Sequence, residues 1–176
     1  MYQRIGFLYK DYIYKKITVV FDDTFYLKLA VEQAILGVKN KQGGPFGAVI
    51  IKNDKIIAQS NNMVLADKDP TAHAEIVAIR AACKVLGHYQ LTDCIIYASC
   101  EPCPMCMGAL YWARPAKLVY ACTRLEASAA GFDDSFIYDE IALKPEYRAL
   151  ISDHLKIEGA NSPFEYWAKW GDKNLY

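Results

Sequence analysis

The chain has 176 residues and a mass of 19.9 kDa, a size that suits one compact domain. Hydrophobic residues make up 53% of the sequence and charged residues 23%, so the composition excludes a disordered or fibrous protein. Twenty basic and twenty acidic residues give a formal net charge of zero, so no overall positive field attracts nucleic acid.

The lengths of the apolar runs and the clustering of the cysteines indicate the cellular compartment of the protein. The runs 17–21 and 48–51 are far shorter than the roughly 18 residues that cross a bilayer, and charged residues interrupt the first twenty positions. Neither a membrane span nor a secretory signal is therefore predicted. Six cysteines lie in the middle of the chain, which favours metal binding or burial over disulfides. We expect a cytoplasmic protein.

The sequence predicts one domain after an extension. Residues 1–21 are rich in tyrosine and lysine without a helical or strand period, and we treat them as an N-terminal extension of unknown role. Residues 22–176 contain no repeat or linker and are expected to form a single domain. Its first helix should span about 24–40, because helix caps at 22–24 precede apolar residues at helical spacing, namely Leu27, Val31, Ala34, Ile35 and Val38.

A hairpin and a second helix follow. Gly43-Gly44-Pro45 ends the first helix, and the β-rich runs 46–52 and 55–59 flank the two-residue turn Asn53-Asp54. The second helix begins after Pro70-Thr71 and closes near Gly87.

A strand–helix–strand unit completes the predicted core. Residues 94–99 are typical of a buried strand, 103–113 of a short helix that ends before Pro115, and 117–121 of another strand. Two strands bridged by a helix run parallel, whereas the hairpin is antiparallel. The sequence therefore predicts an α/β protein with three layers, α/β/α, in which helices cover both faces of a mixed central sheet.

The residues that carry chemistry lie at the starts of the second and third helices. Cys103 and Cys106 are three residues apart on a first helical turn, so both sulfur atoms lie on one side, and the positive helix end favours the thiolates that bind metal. With His73 they would supply three ligands to one zinc ion per chain and leave a fourth position open, as in catalytic zinc sites. Glu75 would flank the metal, where a carboxylate can shuttle protons between a metal-bound water and a leaving amine.

Each motif taken alone has a plainer interpretation. A single histidine at a helix start is often a structural hydrogen-bonding residue, and a Cys-x-x-Cys pair can be a redox dithiol or half of a structural zinc site. An iron–sulfur run is not favoured, because position 110 is leucine. Cys100 could be a further ligand, although packing is favoured, and the remaining cysteines are interpreted as core residues: Cys83, Cys94 and Cys122. None of these interpretations explains why both motifs occur together.

The motifs His73-Ala74-Glu75 and Pro102-Cys103-Pro104-Met105-Cys106 resemble the signature of the zinc-dependent cytidine deaminase superfamily. Within it, the chain is most similar to the bacterial guanine deaminases, over roughly residues 24–176. The similarity includes stretches 43–49, 111–115 and 131–138 and the end of the chain. The resemblance implies a cytidine-deaminase-like fold and an enzyme of purine catabolism or salvage. In that reaction a zinc-bound hydroxide attacks C2 of guanine, Glu75 shuttles protons, and xanthine and ammonia are released.

The resemblance also implies which residues contact the substrate. Asn62 would hydrogen-bond the purine, and Asp134 would bind the guanine edge or assist proton transfer. Further contacts would come from Phe46, Ala74, Trp112 and Tyr176. Without the resemblance, Asn62 is equally well a turn residue, Asp133-Asp134 a polar loop, and each aromatic residue part of the core.

The C-terminal helix has two possible partners. Ser162-Pro163 offers a helix start, and Phe164, Trp167 and Trp170 form an apolar stripe that must be buried. The stripe could pack on its own subunit. The resemblance instead implies a homodimer in which residues 160–176 exchange between two copies and place Tyr176 over the partner's site.

Three other functions stay open. Two belong to the same superfamily: a guanosine deaminase and a tRNA adenosine deaminase. The third is a non-catalytic structural zinc protein, against which Glu75 argues because a closed site has no use for it. The neutral charge and the lack of a basic cluster favour a small purine over nucleic acid.

Overall fold

The computed structural model describes residues 22–175, so the expectations for residues 1–21 and for Tyr176 lie outside the described residues. Four strands and seven helices follow one another within this range: α1 (Asp23–Lys39), β1 (Gly47–Lys52), β2 (Lys55–Asn61), α2 (Val64–Asp67), α3 (Ala74–Leu86), β3 (Cys94–Cys100), α4 (Pro104–Ala113), β4 (Lys117–Cys122), α5 (Arg124–Ala129), α6 (Ser135–Ala142) and α7 (Ser162–Lys169). A 3-10 helix spans Pro145–Tyr147. None of the helices in residues 22–175 combines the length and the apolar character that a membrane span requires.

The four strands form one mixed sheet in the order β2-β1-β3-β4. β1 and β2 are the predicted antiparallel hairpin, and its turn residues Asn53 and Asp54 have φ values of 50° and 58°, as a tight turn matched to twisted strands requires. β3 pairs antiparallel with β1 and parallel with β4, so the predicted parallel unit around α4 is confirmed.

Alternate residues of β1 supply the two layers of the core. Ala48 and Ile50 face α3 and α4, in a cluster that includes Ala74, Ala78, Ile96 and Leu110. Val49 and Ile51 face α1, in a second cluster with Tyr26, Ala30 and Tyr97. Because both faces of the strand are buried, the strand is apolar from Gly47 to Ile51, and the predicted α/β/α layering is confirmed.

The predicted apolar face of α1 is confirmed only in part. Of the five expected residues, Ala34 is buried and Leu27 packs against the core, whereas Val31, Ile35 and Val38 are exposed. The other buried residues of the helix are Tyr26, Ala30 and Gly37. Small residues face the sheet because the helix approaches it closely: a Cβ atom added at Gly47 would lie 2.1 Å from the carbonyl oxygen of Ala30. Val31, Ile35 and Val38 therefore lie beside the buried face, where they line a cavity with Ala34.

The chain after α4 differs from the rest of the fold. Among residues 114–175 no residue is buried, although the segment contains many large apolar side chains. The short helices α2, α5 and α6 were not predicted. α5 begins with a capping box in which the side chains of Thr123 and Glu126 satisfy each other's backbone N–H groups.

Candidate active site

The three predicted metal ligands meet between the N-terminal ends of α3 and α4. His73 caps α3, Cys103 caps α4, and Cys106 lies on the first turn of α4. The Nδ1 atom of His73 is 3.5 Å from the Sγ atom of Cys103 and 3.5 Å from that of Cys106. Tetrahedral zinc, with bonds of about 2.0–2.1 Å to nitrogen and about 2.3 Å to sulfur, places these atoms about 3.6 Å apart. The donor atoms and their spacing therefore fit zinc.

The group offers three ligands and no fourth. Within residues 22–175, no other set of three histidine, cysteine or acidic side chains is close enough to hold a metal ion. The thiol of Cys100 donates instead to the carbonyl oxygen of Thr123, at 3.5 Å, and lines a second cavity. The structure therefore forms an open site rather than a closed site with Cys100.

Electrostatics favour a thiolate at Cys103. A hydrogen bond from Cys106 lowers the pKa of the Cys103 thiol to about 4, and His73 lowers it further. The same hydrogen bond and burial raise the pKa of Cys106, because Cys106 retains the proton that the pair shares. The contact with Cys103 raises the pKa of His73. A divalent cation bound here would displace the remaining proton, since metal ligands must be deprotonated.

Glu75 lies beside the ligands on the first turn of α3. Its side chain is buried, with 6% of the residue exposed, and its Oε2 atom accepts a hydrogen bond from the Cys106 thiol at 3.4 Å. Burial raises the pKa of Glu75, because the charged carboxylate loses its hydration. This carboxyl group reaches the same cavity as His73 and Cys103, so it can exchange protons with a molecule bound there.

A cavity of about 530 Å³ opens over His73, Cys103 and Glu75, and Cys106 is buried beside them. Asn62 lines it, and the Oδ1 atom of Asn62 accepts hydrogen bonds from the backbone N–H groups of Gly44, at 3.3 Å, and Val64, at 3.1 Å. A Cβ atom at Gly43 would lie 2.1 Å from this oxygen, so the glycine is needed for the close approach. Because the oxygen is occupied, the amide orientation is fixed and its NH₂ group is the part left for a ligand.

Two adjacent aspartates at the cavity have different roles. Asp133 Oδ1 accepts from the backbone N–H of Ser135 at 2.9 Å and so stabilises the start of α6. Asp134 is the N-cap residue of α6 but makes no capping hydrogen bond with its side chain, and it lines the cavity half-buried. Burial and then the Cys103 charge raise the pKa of Asp134, and the charge of Arg124 opposes them.

The remaining predicted site residues divide into three groups. Phe46 lines the cavity, and Ala74, the first residue of α3, is buried behind it. Trp112 is not brought to this cavity: it lies about 12 Å along α4 from the start of that helix, and it is 64% exposed. The second aromatic wall is Phe132, whose ring packs edge to face against Phe46 at a centroid distance of 5.0 Å. Tyr176 lies outside the described residues.

Several residues of the cavity lining were not among the predicted site residues. Glu101 and Arg124 line the cavity together with Phe132. The capping box that starts at Thr123 was a sequence signal for a helix at Arg124. Glu101 directly precedes the Pro-Cys motif, which was a signal for its position.

Comparison with known families decides what this site is. The family model described as the cytidine and deoxycytidylate deaminase zinc-binding region matches residues 21–122. The chain belongs to this deaminase family. The cofactor of this deaminase is zinc, and His73, Cys103 and Cys106 are the group in residues 22–175 that fits it.

Relatives of this deaminase differ in the fraction of its sequence that aligns with theirs. The guanine deaminase of Bacillus subtilis is 54% identical over 151 residues, which cover 86% of this chain and 97% of the relative. The crystal structure of a guanine deaminase from that organism superposes with a TM-score of 0.87 at 52% identity, covering 89% of this chain and 99% of the other. A tRNA-specific adenosine deaminase of Bacillus subtilis is 39% identical over 98 residues, 56% of this chain and 60% of the relative.

Proposed function

We propose that the protein is a zinc-dependent enzyme that hydrolyses guanine to xanthine and ammonia. One observation carries this proposal: the similarity to the Bacillus subtilis guanine deaminase covers 97% of that relative and extends well beyond the zinc-binding region at 21–122. The tRNA-specific relative shares only 56% of this chain. The residues that follow the zinc-binding region include Asp133 and Asp134, which line the cavity.

The side chains around the cavity can perform this hydrolysis. Zinc held by His73, Cys103 and Cys106 would supply Lewis acidity that makes a water molecule easier to deprotonate. Glu75, buried beside Cys106, accepts a proton from the attacking water. It delivers this proton to the neighbouring ring nitrogen, then takes the second proton from the hydroxyl group now on C2 and passes it to the amino group, which leaves as ammonia. Oxygen is added at C2 as nitrogen departs, so no redox partner is required.

Hydrogen-bonding groups in the cavity complement guanine. The NH₂ group of Asn62 donates to an acceptor on the purine, since its oxygen is held by Gly44 and Val64. Asp134 accepts from the adjacent N–H groups of the guanine edge. The backbone N–H of Ala74, at the first turn of α3, has no intrahelical acceptor and can donate to the base. Phe46 and Phe132 provide apolar walls for the ring.

The charges at the cavity favour a substrate without phosphate. Four carboxyl groups line it, from Glu75, Glu101, Asp133 and Asp134, whereas Arg124 is the one arginine or lysine in the lining drawn from residues 22–175. Phosphate groups would be repelled by this arrangement. A free base or a nucleoside therefore fits better than a nucleotide or an RNA loop.

We further propose a homodimer that exchanges residues 160–176, with Tyr176 closing the partner's site. Two observations support the exchange. The carbonyl oxygen of Leu175 accepts from the Tyr89 hydroxyl at 3.3 Å, at the opposite end of α3 from His73, so the chain end lies away from its own site. The C-terminal segment also carries large apolar side chains that its own chain leaves exposed, including Phe164 at 73% and Tyr166 at 76%. A second copy would bury them.

Deleting residues 173–176 tests the exchange. The truncated protein should keep its zinc content and its dimeric mass in light scattering, while its activity on guanine collapses because the lid is lost. Normal activity in the truncated protein, or a monomeric mass for the full chain at micromolar concentration, would overturn the exchanged-lid proposal.

We also propose that the protein acts in the cytoplasm. All six cysteines are free of disulfide bonds, which is consistent with this reducing compartment.

The proposed activity is tested by product analysis. Zinc-loaded protein incubated with guanine should form xanthine and ammonia in equal amounts. Protein treated with a chelator should lose this activity and regain it when zinc is added back. Absence of xanthine from the zinc-loaded protein would overturn the proposed function.

A further inference from the structure

Arg124 connects two elements that border the cavity. It is the first residue of α5, and its guanidinium carbon lies 5.0 Å from the centroid of the Tyr138 ring on α6, within range of a cation–π interaction. Tyr138 follows Asp134 by four residues. Because Asp134 caps α6, the two side chains lie on the same side of its first turn. The arginine therefore holds the part of α6 from which Asp134 enters the cavity.

The other end of this connection reaches the zinc ligands. The backbone N–H of Arg124 donates to the Oε2 atom of Glu101 at 3.1 Å. The backbone N–H of Glu101 donates to the carbonyl oxygen of Cys122 at 2.8 Å, which fixes the chain just before Cys103. A continuous series of contacts thus runs from the segment that carries Cys103, through Glu101 and Arg124, to Tyr138 beside Asp134.

We infer that Arg124 is a positioning residue, which sets the place of Asp134 relative to the zinc ligands and thereby the orientation in which the substrate edge is bound. The inference rests on the proposed function, because it gives Asp134 a substrate to bind. Both residues line the cavity, and Arg124 contacts α6 through its side chain and the ligand segment through its backbone. A change at Arg124 should therefore move Asp134 without touching zinc.

The fold itself does not require a cation at this position. The start of α5 is already fixed by Thr123 and Glu126, whose side chains cap each other's backbone groups. Arg124 is exposed and lies outside both core clusters. Its guanidinium instead covers the ring of Tyr138, at the border of the cavity.

The test compares guanine kinetics in substitutions at both ends of the contact. Arg124→Met removes the cation but keeps an unbranched side chain, and Tyr138→Leu removes the ring. Each should lower kcat/KM for guanine by about tenfold, mainly through KM, because the binding group is misplaced while the reacting groups are intact. Zinc content and thermal midpoint should stay at the wild-type values.

Conservative variants separate positioning from general damage. Arg124→Lys, which keeps the cation, and Tyr138→Phe, which keeps the ring, should each recover most of the lost kcat/KM. The double variant Arg124→Met with Tyr138→Leu should be no worse than either single variant, because both break one contact. Arg80→Met is the matched control: Arg80 lies on α3, outside the cavity lining, in an exposed ion pair with Asp69.

The outcomes distinguish this inference from the proposed function. Wild-type KM and kcat in Arg124→Met, or strictly additive losses in the double variant, would overturn the positioning role while the proposed function stands. A loss in Arg124→Met that lysine does not restore would equally overturn it. A wild-type protein with no activity on guanine would overturn the proposed function and this inference with it.

Discussion

Replacing Glu75 with glutamine removes the proton-carrying group and leaves the shape of the side chain unchanged. Glutamine retains an oxygen that can accept from the Cys106 thiol, which Glu75 does at 3.4 Å. The neutral amide also suits the site, because only 6% of the residue is exposed and burial raises the pKa of the carboxyl group. We therefore expect Glu75→Gln to fold and to bind one zinc ion per chain.

The expected loss of activity follows from the number of proton transfers assigned to Glu75. General acid–base catalysis contributes about 10²–10⁴ per step, and here the same carboxyl group first accepts and then donates a proton. Two other carboxyl groups at the cavity are poor substitutes, since Asp133 is held by Ser135 and Glu101 by the backbone of Arg124, and Asp134 is assigned to the guanine edge. We expect kcat to fall by about 10⁴-fold or more.

The assay is ammonia release from guanine, with zinc content and the thermal midpoint measured on the same sample. The pKa of Glu75 is higher in the folded protein than in the unfolded chain, so folding favours the protonated carboxyl group. This contribution to stability is fully present below the unfolded pKa and is lost as the pH rises through the folded pKa. Glu75→Gln should therefore have a midpoint at pH 7 equal to or above that of wild type when both are treated with a chelator. Ammonia release near the wild-type rate would remove Glu75 from the mechanism.

Four further predictions, two of them with a matched control variant, test single contacts. Cys103→Ala should lose zinc and Cys100→Ala should keep it, as metal analysis will show; retained zinc in Cys103→Ala would refute the ligand set. Asn62→Asp keeps the acceptor for Gly44 and Val64 but loses the donor, so kcat/KM for guanine should fall by about 10- to 100-fold; an unchanged value would contradict the donor role. Gly47→Ala should lower the free energy of unfolding by about 3 kcal/mol in denaturant titration, because the new Cβ meets the α1 backbone. The control Gly108→Ala, in the open part of α4, should raise the free energy of unfolding by about 1 kcal/mol. Equal effects of the two substitutions would refute the close packing of α1. Asp23→Asn should lower the thermal unfolding midpoint at neutral pH, because hydrogen bonds from Lys117 and Tyr97 depress the pKa of Asp23. The difference in midpoint between variant and wild type should shrink as the pH falls below 3.8. A difference that persists in acid would contradict this assignment.

The zinc ligands and the central sheet were predictable because their signals are local. Cys103 and Cys106 are placed by three-residue spacing on one helical turn, and His73 by the helix start two residues before Glu75. The hairpin follows from its two-residue turn, and the parallel pair of β3 and β4 from the helix between them.

Features set by long-range packing were not predictable in this way. The buried face of α1 consists mostly of small residues such as Ala30 and Gly37, and a pattern based on bulky residues selects a face displaced from it by one residue. Asp134 resembles any loop aspartate in the sequence. Its place at the cavity depends on α6, on the capping by Asp133 and on contacts with α5, none of which a short stretch of sequence contains.

Guanine as the substrate is tested most directly by comparing kcat/KM for ammonia release by the zinc-loaded protein with guanine, guanosine, adenine and cytidine. The donor at Asn62 and the acceptor at Asp134 predict little release from adenine or cytidine, and the 54% identity to a guanine deaminase predicts the highest value for guanine. A higher value for guanosine, adenine or cytidine, or no ammonia from guanine, would contradict guanine as the substrate.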